Sequence, residues 1–549
     1  MSEGSNKFTR RALMGAGTAA ALGGAAMAFR GGRHSIAAQT DSWTLKRGNG
    51  AEPDTLDPHL AQGHWEMNII DDMFTGLMTL DASANSILGT AESLSASEDG
   101  LTYQLKIRDN VWSDGVPVTA HDYVYSFRRL LNPKSASQYA PMLYPVLNAE
   151  AINGGKMPVE KLGVRAIDDR TLEITFHFQV PYITELLTHM TTFAVPQHVV
   201  EKYGSSWTTP GRMVSNGPFV LAEWVPNSFI RLTRNERFFA KKEVTLKNIY
   251  YYPTQDQSAA LKRFRGGEFD VITDGLPPQQ IDWLRRNMAH ELRLHPFILT
   301  QYVQYNVTRK PFDDPRVRAA LSMAIDRDVI TAKIMRANEQ PAYALVPPGM
   351  PGYSNGAQLS FKSMRPAQRI EKARQLLSDA GYGPKNPLTF DYNLQNTTEA
   401  KIIAVALQEM WREVGAQVRL MQTETQVHYQ ILRRRDFAAA WSGWVADYRD
   451  PKNYLFLFCV SSTDLNLGGY NSHKFDALMS ASDNERDAAK RLGLLEQAEQ
   501  VLLDDNAVAP VFFGVTRDLV SPQVKGWISN NVNFNPSRYL SLARDIPNV

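Results

Sequence analysis

The chain has 549 residues, enough for roughly three to four domains' worth of core and too many for a peptide-like or single-module protein. With 43% hydrophobic and 21% charged residues it belongs with ordinary folded proteins, not with collagen-like, low-complexity or disordered chains. Lys plus Arg number 59 against 57 Asp plus Glu, a formal charge of +2 that argues against a nucleic-acid partner, and the single cysteine, Cys459, forbids an intramolecular disulfide or a multi-cysteine metal site.

The first element is a leader. Lys7, Arg10 and Arg11 precede a small, apolar stretch from Ala12 to Phe29, and Arg30, Arg33 and Ser35-Ile-Ala-Ala38 follow it. Basic, apolar, then small is the layout of a signal peptide, and Thr9-Arg-Arg-Ala-Leu-Met14 resembles the twin-arginine export signal. Gly15, Gly17, Gly23 and Gly24 make the same stretch a poor membrane anchor. Cleavage is expected after Ala37, with Ala28 the second choice, and no cysteine follows to carry a lipid. Removing residues 1–37 takes away five basic residues and one acidic one, leaving a net charge of −2. No later run approaches eighteen uninterrupted apolar residues, so the exported chain is expected to be soluble.

Two strands are predicted early. Leu101-Thr-Tyr-Gln-Leu-Lys-Ile107 and Thr171-Leu-Glu-Ile-Thr-Phe-His-Phe178 alternate apolar and polar residues, as half-buried strands do. Helices come later. Asp314 caps one with Pro315 in its first turn and Val317, Ala320, Leu321, Ala324 and Ile325 on one face. A second runs from about Pro366 to Ala380 and stops at Gly381, and a third runs from Thr398 to Val414, with Ile403, Ala406, Leu407, Met410 and Trp411 on its apolar stripe and Gly415 after it. With no repeat period and no Ser- or Gly-rich linker, the pattern implies an α/β or α+β protein whose lobes are interwoven.

The motifs of catalysis are missing or out of context. There is no phosphate loop and no H-E-x-x-H helix, and Gly48-Asn-Gly50 lacks the rest of a dinucleotide fingerprint. Gly352-Tyr-Ser-Asn-Gly356 matches a hydrolase elbow in letters, but Pro347-Pro-Gly-Met-Pro351 precedes it where a strand is required, so Ser354 reads as a turn residue. The pairs Asp71-Asp72, Asp313-Asp314 and Asp504-Asp505 point apart on a helix or turn and read as caps or solvated groups. His59 and His64 have no third ligand nearby, Arg433-Arg-Arg435 reads as a solvated face, and Cys459 sits in the apolar run Tyr454–Val460 as an inert thiol. No cofactor, metal or catalytic residue is expected.

Phe437-Ala-Ala-Ala-Trp-Ser-Gly-Trp-Val-Ala-Asp-Tyr-Arg-Asp-Pro451 is the informative segment. Small residues let another backbone approach closely, and indole rings add contact area. Asp447 stands where that strand ends, either as a receptor for an ammonium ion beside aromatic groups or as a cap of the turn before Pro451.

Together with that segment, Glu52-Pro-Asp-Thr-Leu-Asp-Pro58, Trp112-Ser-Asp-Gly-Val-Pro-Val-Thr-Ala-His-Asp122, Ser215-Asn-Gly-Pro-Phe219, Pro311-Phe-Asp-Asp-Pro-Arg-Val-Arg318 and Ala324-Ile-Asp-Arg-Asp328 recur in order along the chain. So arranged, the sequence resembles family 5 of the bacterial extracellular solute-binding proteins and, within it, the periplasmic oligopeptide binders of ABC importers. The resemblance implies an α/β fold of the type II periplasmic-binding kind with three interwoven lobes: 38–74, 199–298 and 515–549 form lobe I, 75–198 lobe II, and 299–514 lobe III. Ligand would lie between lobes I and III and pass to the importer's membrane permease subunits, with the protein a periplasmic monomer. By the same resemblance Asp447 binds the ligand's α-ammonium group, Ser442, Gly443, Trp444 and Val445 offer backbone on one side and Gln62, Gly63 and His64 on the other, and Tyr139, Tyr302, Asp274 and Trp441 line the cleft. The family's basic residues for a peptide carboxylate appear here as Trp441, Leu432 and Ala400, an acidic cleft position as Gln62, and a cysteine pair as Leu299 and Val445. A modified or non-peptide ligand, such as a cell-wall peptide, sugar, opine or metal complex, is the alternative.

Overall fold

A computed structural model describes residues 43–273, 276–462 and 465–543. The leader, with its expected cleavage sites, and Asp274 lie outside the described residues.

Among the described residues the main sheet has eleven strands. Ten lie on one path: β1 Thr44–Gly48, β2 Phe219–Val225, β3 Phe229–Arg234, β4 Asn248–Tyr252, β5 Val271–Ile272, β6 Leu292–Tyr305, β7 Leu388–Gln395, β8 Ala416–Thr423, β9 Ala439–Val445 and β10 Val508–Val520. Their order is β8-β7-β9-β6-β10-β5-β1-β4-β3-β2, and Gln340–Pro341 pairs with β10 off that path. β1 is parallel to β4 and β5, and β7 is parallel to β8 and β9, so each half of the sheet has a parallel centre with helical crossovers.

The long antiparallel pair β6 and β10 joins the halves. Leu292–Pro296 pairs with Val515–Leu519 and Thr300–Gln304 with Val508–Phe513, and the register shifts between Pro296 and Thr300. A proline has no N–H to give a ladder, which suits it to such a break. Gly514 faces the break: a Cβ there would lie 2.8 Å from the Leu299 side chain, so the close approach of the two strands requires glycine. On one side of the break the core contains Leu45, Ile69, Ile249, Leu105 and Leu172; on the other it contains Val303, Val317, Leu321, Tyr392, Leu407 and Trp411.

The predicted elements are found close to their expected ends. Thr102–Ile107 and Thr171–Thr175 are strands of a separate antiparallel sheet with Ala91–Ala96 and Val164–Asp168, and the second stops before Phe178, with Phe176 making only an isolated bridge to Val146. Helix Pro315–Ala324 is capped by the Asp314 carboxylate, which accepts from the Arg316 N–H at 2.9 Å, and its five predicted apolar residues are buried. Helices Pro366–Asp379 and Thr398–Glu413 end before Gly381 and Gly415, both at positive φ. In the latter Ala404 is buried while Ala406 and Met410 are half-buried, a stripe rotated slightly from the expected one.

Several residues weighed for chemistry are structural. Ser354 is exposed in irregular chain, and its hydroxyl donates to the Glu496 carboxylate. In Ala324–Asp328, Arg327 is fully buried and its guanidinium donates to the carbonyls of Ala342, Pro510 and Ser322 at 2.8–3.0 Å. Burial pushes the Cys459 thiol up to about 12, so it stays protonated and unreactive at neutral pH. Among the described residues no helix is long and apolar enough to cross a membrane, and no His, Cys, Asp and Glu cluster is arranged to hold a metal.

Candidate functional site

The site begins with a loop held by one carboxylate. Glu66, buried in helix His64–Met73, accepts from the backbone N–H groups of Gln62 and Gly63 at 2.8 Å through one oxygen and from that of Asp54 at 2.8 Å through the other. Gly63 sits against the Trp65 ring, where a Cβ would approach to 2.4 Å. The bound loop presents Gln62, and the helix presents His64, Met67, Asn68 and Asp71, the i, i+3, i+4, i+7 face, to a cavity of about 1120 Å³.

Across the cavity runs β9. One edge pairs with β6 from Ala439 to Val445; the other pairs with β7 only at Ala439 and Ala440. From Ser442 to Val445 the second edge has no strand partner among the described residues, which leaves room for an added strand. Leu299 and Val445 are direct cross-strand partners.

β9 leads into Asp447, whose side chain is 8% exposed. Asn453, fully buried, organises this corner: its Oδ1 accepts from the Trp444 indole at 2.9 Å and the Asp447 N–H at 3.0 Å, and its Nδ2 donates to Asp447 Oδ2 at 3.3 Å. Nδ1 of His189 accepts from the Thr191 N–H at 3.3 Å, which leaves the ring proton on Nε2, 3.7 Å from Asp447 Oδ1 and without a hydrogen-bond partner. Burial drives the His189 pKa down to about 3, so the imidazole is neutral and gives the carboxylate no counter-charge. Burial pushes Asp447 up to about 7, against the opposing Asn453 hydrogen bond. A buried carboxylate with no cation beside it, facing a cavity, has the chemistry to receive a cation.

The cavity walls are tied together by ion pairs between distant segments. Arg449 meets Glu185 at 2.7 Å, and Tyr448 stacks on Tyr182 with ring centroids 4.8 Å apart. Arg491 holds Asp450 at 2.8 and 3.0 Å and lies over the Tyr182 ring.

Of the residues expected from sequence, Gln62, His64, Tyr139, Trp441, Gly443, Trp444, Val445 and Asp447 line the cavity. Tyr302 does not: it alternates away from Leu299 and Gln301, which do, and its ring lies in the core opposite Ser442 in the ladder. Ser442 is likewise buried, contributing only main chain, and Gly63 shapes the loop without lining the cavity. Of the three residues expected to stand in place of basic ones, Trp441 and Ala400 line the cavity, whereas Leu432 is fully buried in the core. Sequence reasoning missed Asn453, His189, Glu185 and Arg449. Only Arg449 and Asn453, two and six residues past Asp447, were within reach of a local argument.

A model of the bacterial extracellular solute-binding proteins, family 5 Middle, matches residues 85–466. The chain is 36% identical over 528 residues to the periplasmic oligopeptide-binding protein OppA of Escherichia coli, covering 95% of this chain and 96% of that protein. Its structure is similar to Haemophilus influenzae OppA in complex with the peptide RPPGFSPFR, with a TM-score of 0.86, 32% identity and coverage of 92% of this chain and 99% of the other. The E. coli murein tripeptide binding protein MppA also matches with a TM-score of 0.86 at 31% identity, covering 91% of this chain and 98% of that one, whereas its unliganded open form scores 0.72. These are type II periplasmic-binding folds, and the arrangement seen here is more similar to the peptide complex than to the unliganded open form.

Proposed function

The chain belongs to the family 5 bacterial extracellular solute-binding proteins, and from that premise we propose that it is the periplasmic component of an ABC importer that encloses oligopeptides and delivers them to the membrane permease. The observation that carries the reading is the open edge of β9 ending at Asp447. An extended peptide laid along Ser442–Val445 would pair main chain to main chain, with its α-ammonium at Asp447. Main-chain pairing is common to every peptide and gives tolerance of side chains.

We assign lobe I to 38–74, 199–298 and 515–549, lobe II to 75–198 and lobe III to 299–514. The register break at Pro296–Thr300 and Gly514 then lies at the hinge between I and III. Lobe II contributes Tyr139, Glu185 and His189 to the cavity, so ligand would touch all three lobes only when they are closed. Ligand binding thus shifts the population toward the closed state, the shape that the permease reads. Glu185→Ala removes a closed-state contact to Arg449 and is expected to weaken affinity about three- to tenfold through faster dissociation. Unchanged dissociation in stopped-flow would refute that role.

Export by the twin-arginine route, a monomeric state and the absence of catalysis complete the proposal; Ser354 lies in exposed irregular chain, without the strand-to-helix elbow that its motif requires. The second reading, a modified or non-peptide ligand, is favoured by Trp441 and Ala400 at cavity positions where the family has basic residues. Native mass spectrometry of protein purified from its own periplasm separates the two. Peptides with free amino termini are expected, and a single recurrent non-peptide mass would replace the oligopeptide reading.

A further inference from the structure

The charged side chains that line the cavity among the described residues are unbalanced. Two are guanidinium groups, and each already holds a carboxylate from the same lining: Arg449 holds Glu185 at 2.7 Å, and Arg517 holds Glu399. Asp256 and Glu424 cap helices, accepting from the N–H groups of Ala259 at 2.6 Å and Gln426 at 2.9 Å. Their charge is therefore met by helix N-termini.

Two carboxylates remain without an Arg or Lys in ion-pair contact among the described residues, Asp447 and Asp71. Asp71 completes the cavity face of helix His64–Met73, one turn beyond Met67 and Asn68. Its neighbour Asp72 turns the other way, fully buried, with its Oδ2 accepting from the Tyr251 hydroxyl at 2.6 Å and its Oδ1 from the Ser537 N–H at 2.7 Å. Asp71 makes no hydrogen bond or ion pair among the described residues. Burial, and after it the charge of Asp72, push its pKa up to about 8, and the more distant charges of His64 and Arg538 offset this only in part. At the other carboxylate, the unpartnered and almost wholly buried Nε2 of His189 marks a polar surface built to meet a ligand.

Resting on the oligopeptide reading, we infer that Asp71 is a second cation receptor of the cavity, taking the basic side chain of a lysine- or arginine-containing peptide while Asp447 takes its α-ammonium. The chemistry of the lining favours a ligand with two positive groups. It disfavours an acidic side chain, which would meet Asp71 without a cation to offset it.

The test uses C-terminally amidated tripeptides with lysine, norleucine or glutamate at the second or third position, titrated calorimetrically into the wild-type protein and Asp71→Asn. Norleucine matches the lysine stem without its charge. The wild type is expected to prefer lysine over norleucine by about tenfold or more at one of the two positions, with glutamate weakest. Asp71→Asn should reduce that preference to about threefold or less, lysine affinity falling by more than norleucine affinity. A melting curve on each protein confirms folding, and Asp71→Ser provides a second variant. Equal binding of lysine and norleucine by the wild type, or an undiminished lysine preference in both variants, overturns the inference and leaves the oligopeptide reading intact. Failure of the wild type to bind any of the peptides overturns both.

Discussion

Replacing Asp447 with asparagine is expected to lower affinity for amine-terminated peptides by about 100-fold or more while raising the melting temperature of the ligand-free protein at pH 8. Both effects follow from one fact: the carboxylate is buried beside a neutral His189 and an amide, with no cation of its own. The folded-state pKa of Asp447, about 7, lies above its ordinary value of 3.8, so between those values the folded protein binds more protons than the unfolded chain. Its contribution to stability therefore falls as pH rises from 3.8 to 7 and stays unfavourable above that. Asparagine does not titrate, so the gain in melting temperature should be greatest above pH 7 and vanish toward pH 4. Ligand affinity of the wild type should weaken as pH drops below 7, because the proton competes with the ammonium group for the same carboxylate. A variant that still binds a free-amine peptide and its N-acetylated form with the wild-type ratio would refute the assignment. A melting difference that grows toward pH 4 would refute the electrostatics.

Asp57→Ala is expected to cost about 3–5 kcal/mol of stability, the largest structural effect of a single change near the site. Asp57 receives Arg129 through both oxygens, the Trp207 indole at 3.0 Å and the His59 N–H at 3.0 Å, and Arg129 also donates to His59 Nδ1 at 2.8 Å. His59 in turn donates from Nε2 to the Phe193 carbonyl at 3.1 Å. The histidine weighed from sequence as a metal ligand is thus the neutral centre of a buried network. Its pKa is driven down to about 4, by burial first and then by the Arg129 charge. Burial pushes the Asp57 carboxyl up, but the charge and hydrogen bonds of Arg129 outweigh it and hold the pKa below its usual value. The sign is the same for both groups: each has a folded pKa below the unfolded one, so each loses its contribution on acidification. His59 does so between pH 6.5 and 4, and Asp57 as pH falls through its folded value. Alanine leaves Arg129 buried without its partner and slackens the Asp57–Gln62 loop that enters the cavity. Thermal and denaturant unfolding check the prediction, and a loss below about 1 kcal/mol would show that the network is not a unit.

Much of this was legible because it is local. Asp314 before Pro315, and the glycines at 381 and 415, mark helix ends through hydrogen bonds and φ angles that span only a few residues. The small residues and tryptophans of 439–445 announced a strand that admits a second backbone, with Asp447 at its end, because composition alone controls how closely main chains approach. Tyr302 shows the limit. It was expected in the cleft by resemblance alone, and the face of β6 that turns to the cavity depends on the register of β6 against β9 and β10, which a one-residue change inverts.

The sequence by itself therefore determined the ends of the three predicted helices to within a few residues, the family resemblance and the carboxylate at the end of β9. Tertiary structure alone decided that His189 and Glu185, more than 250 residues earlier, meet Asp447 and Arg449, that Asp71 rather than Asp72 faces the cavity, and that both guanidinium groups of the lining are already paired. The physical reason is one of range. Caps, turns and strand composition act over a few bonds, whereas burial and charge balance are properties of the assembled cavity, which exists only once distant segments of the chain have packed around it.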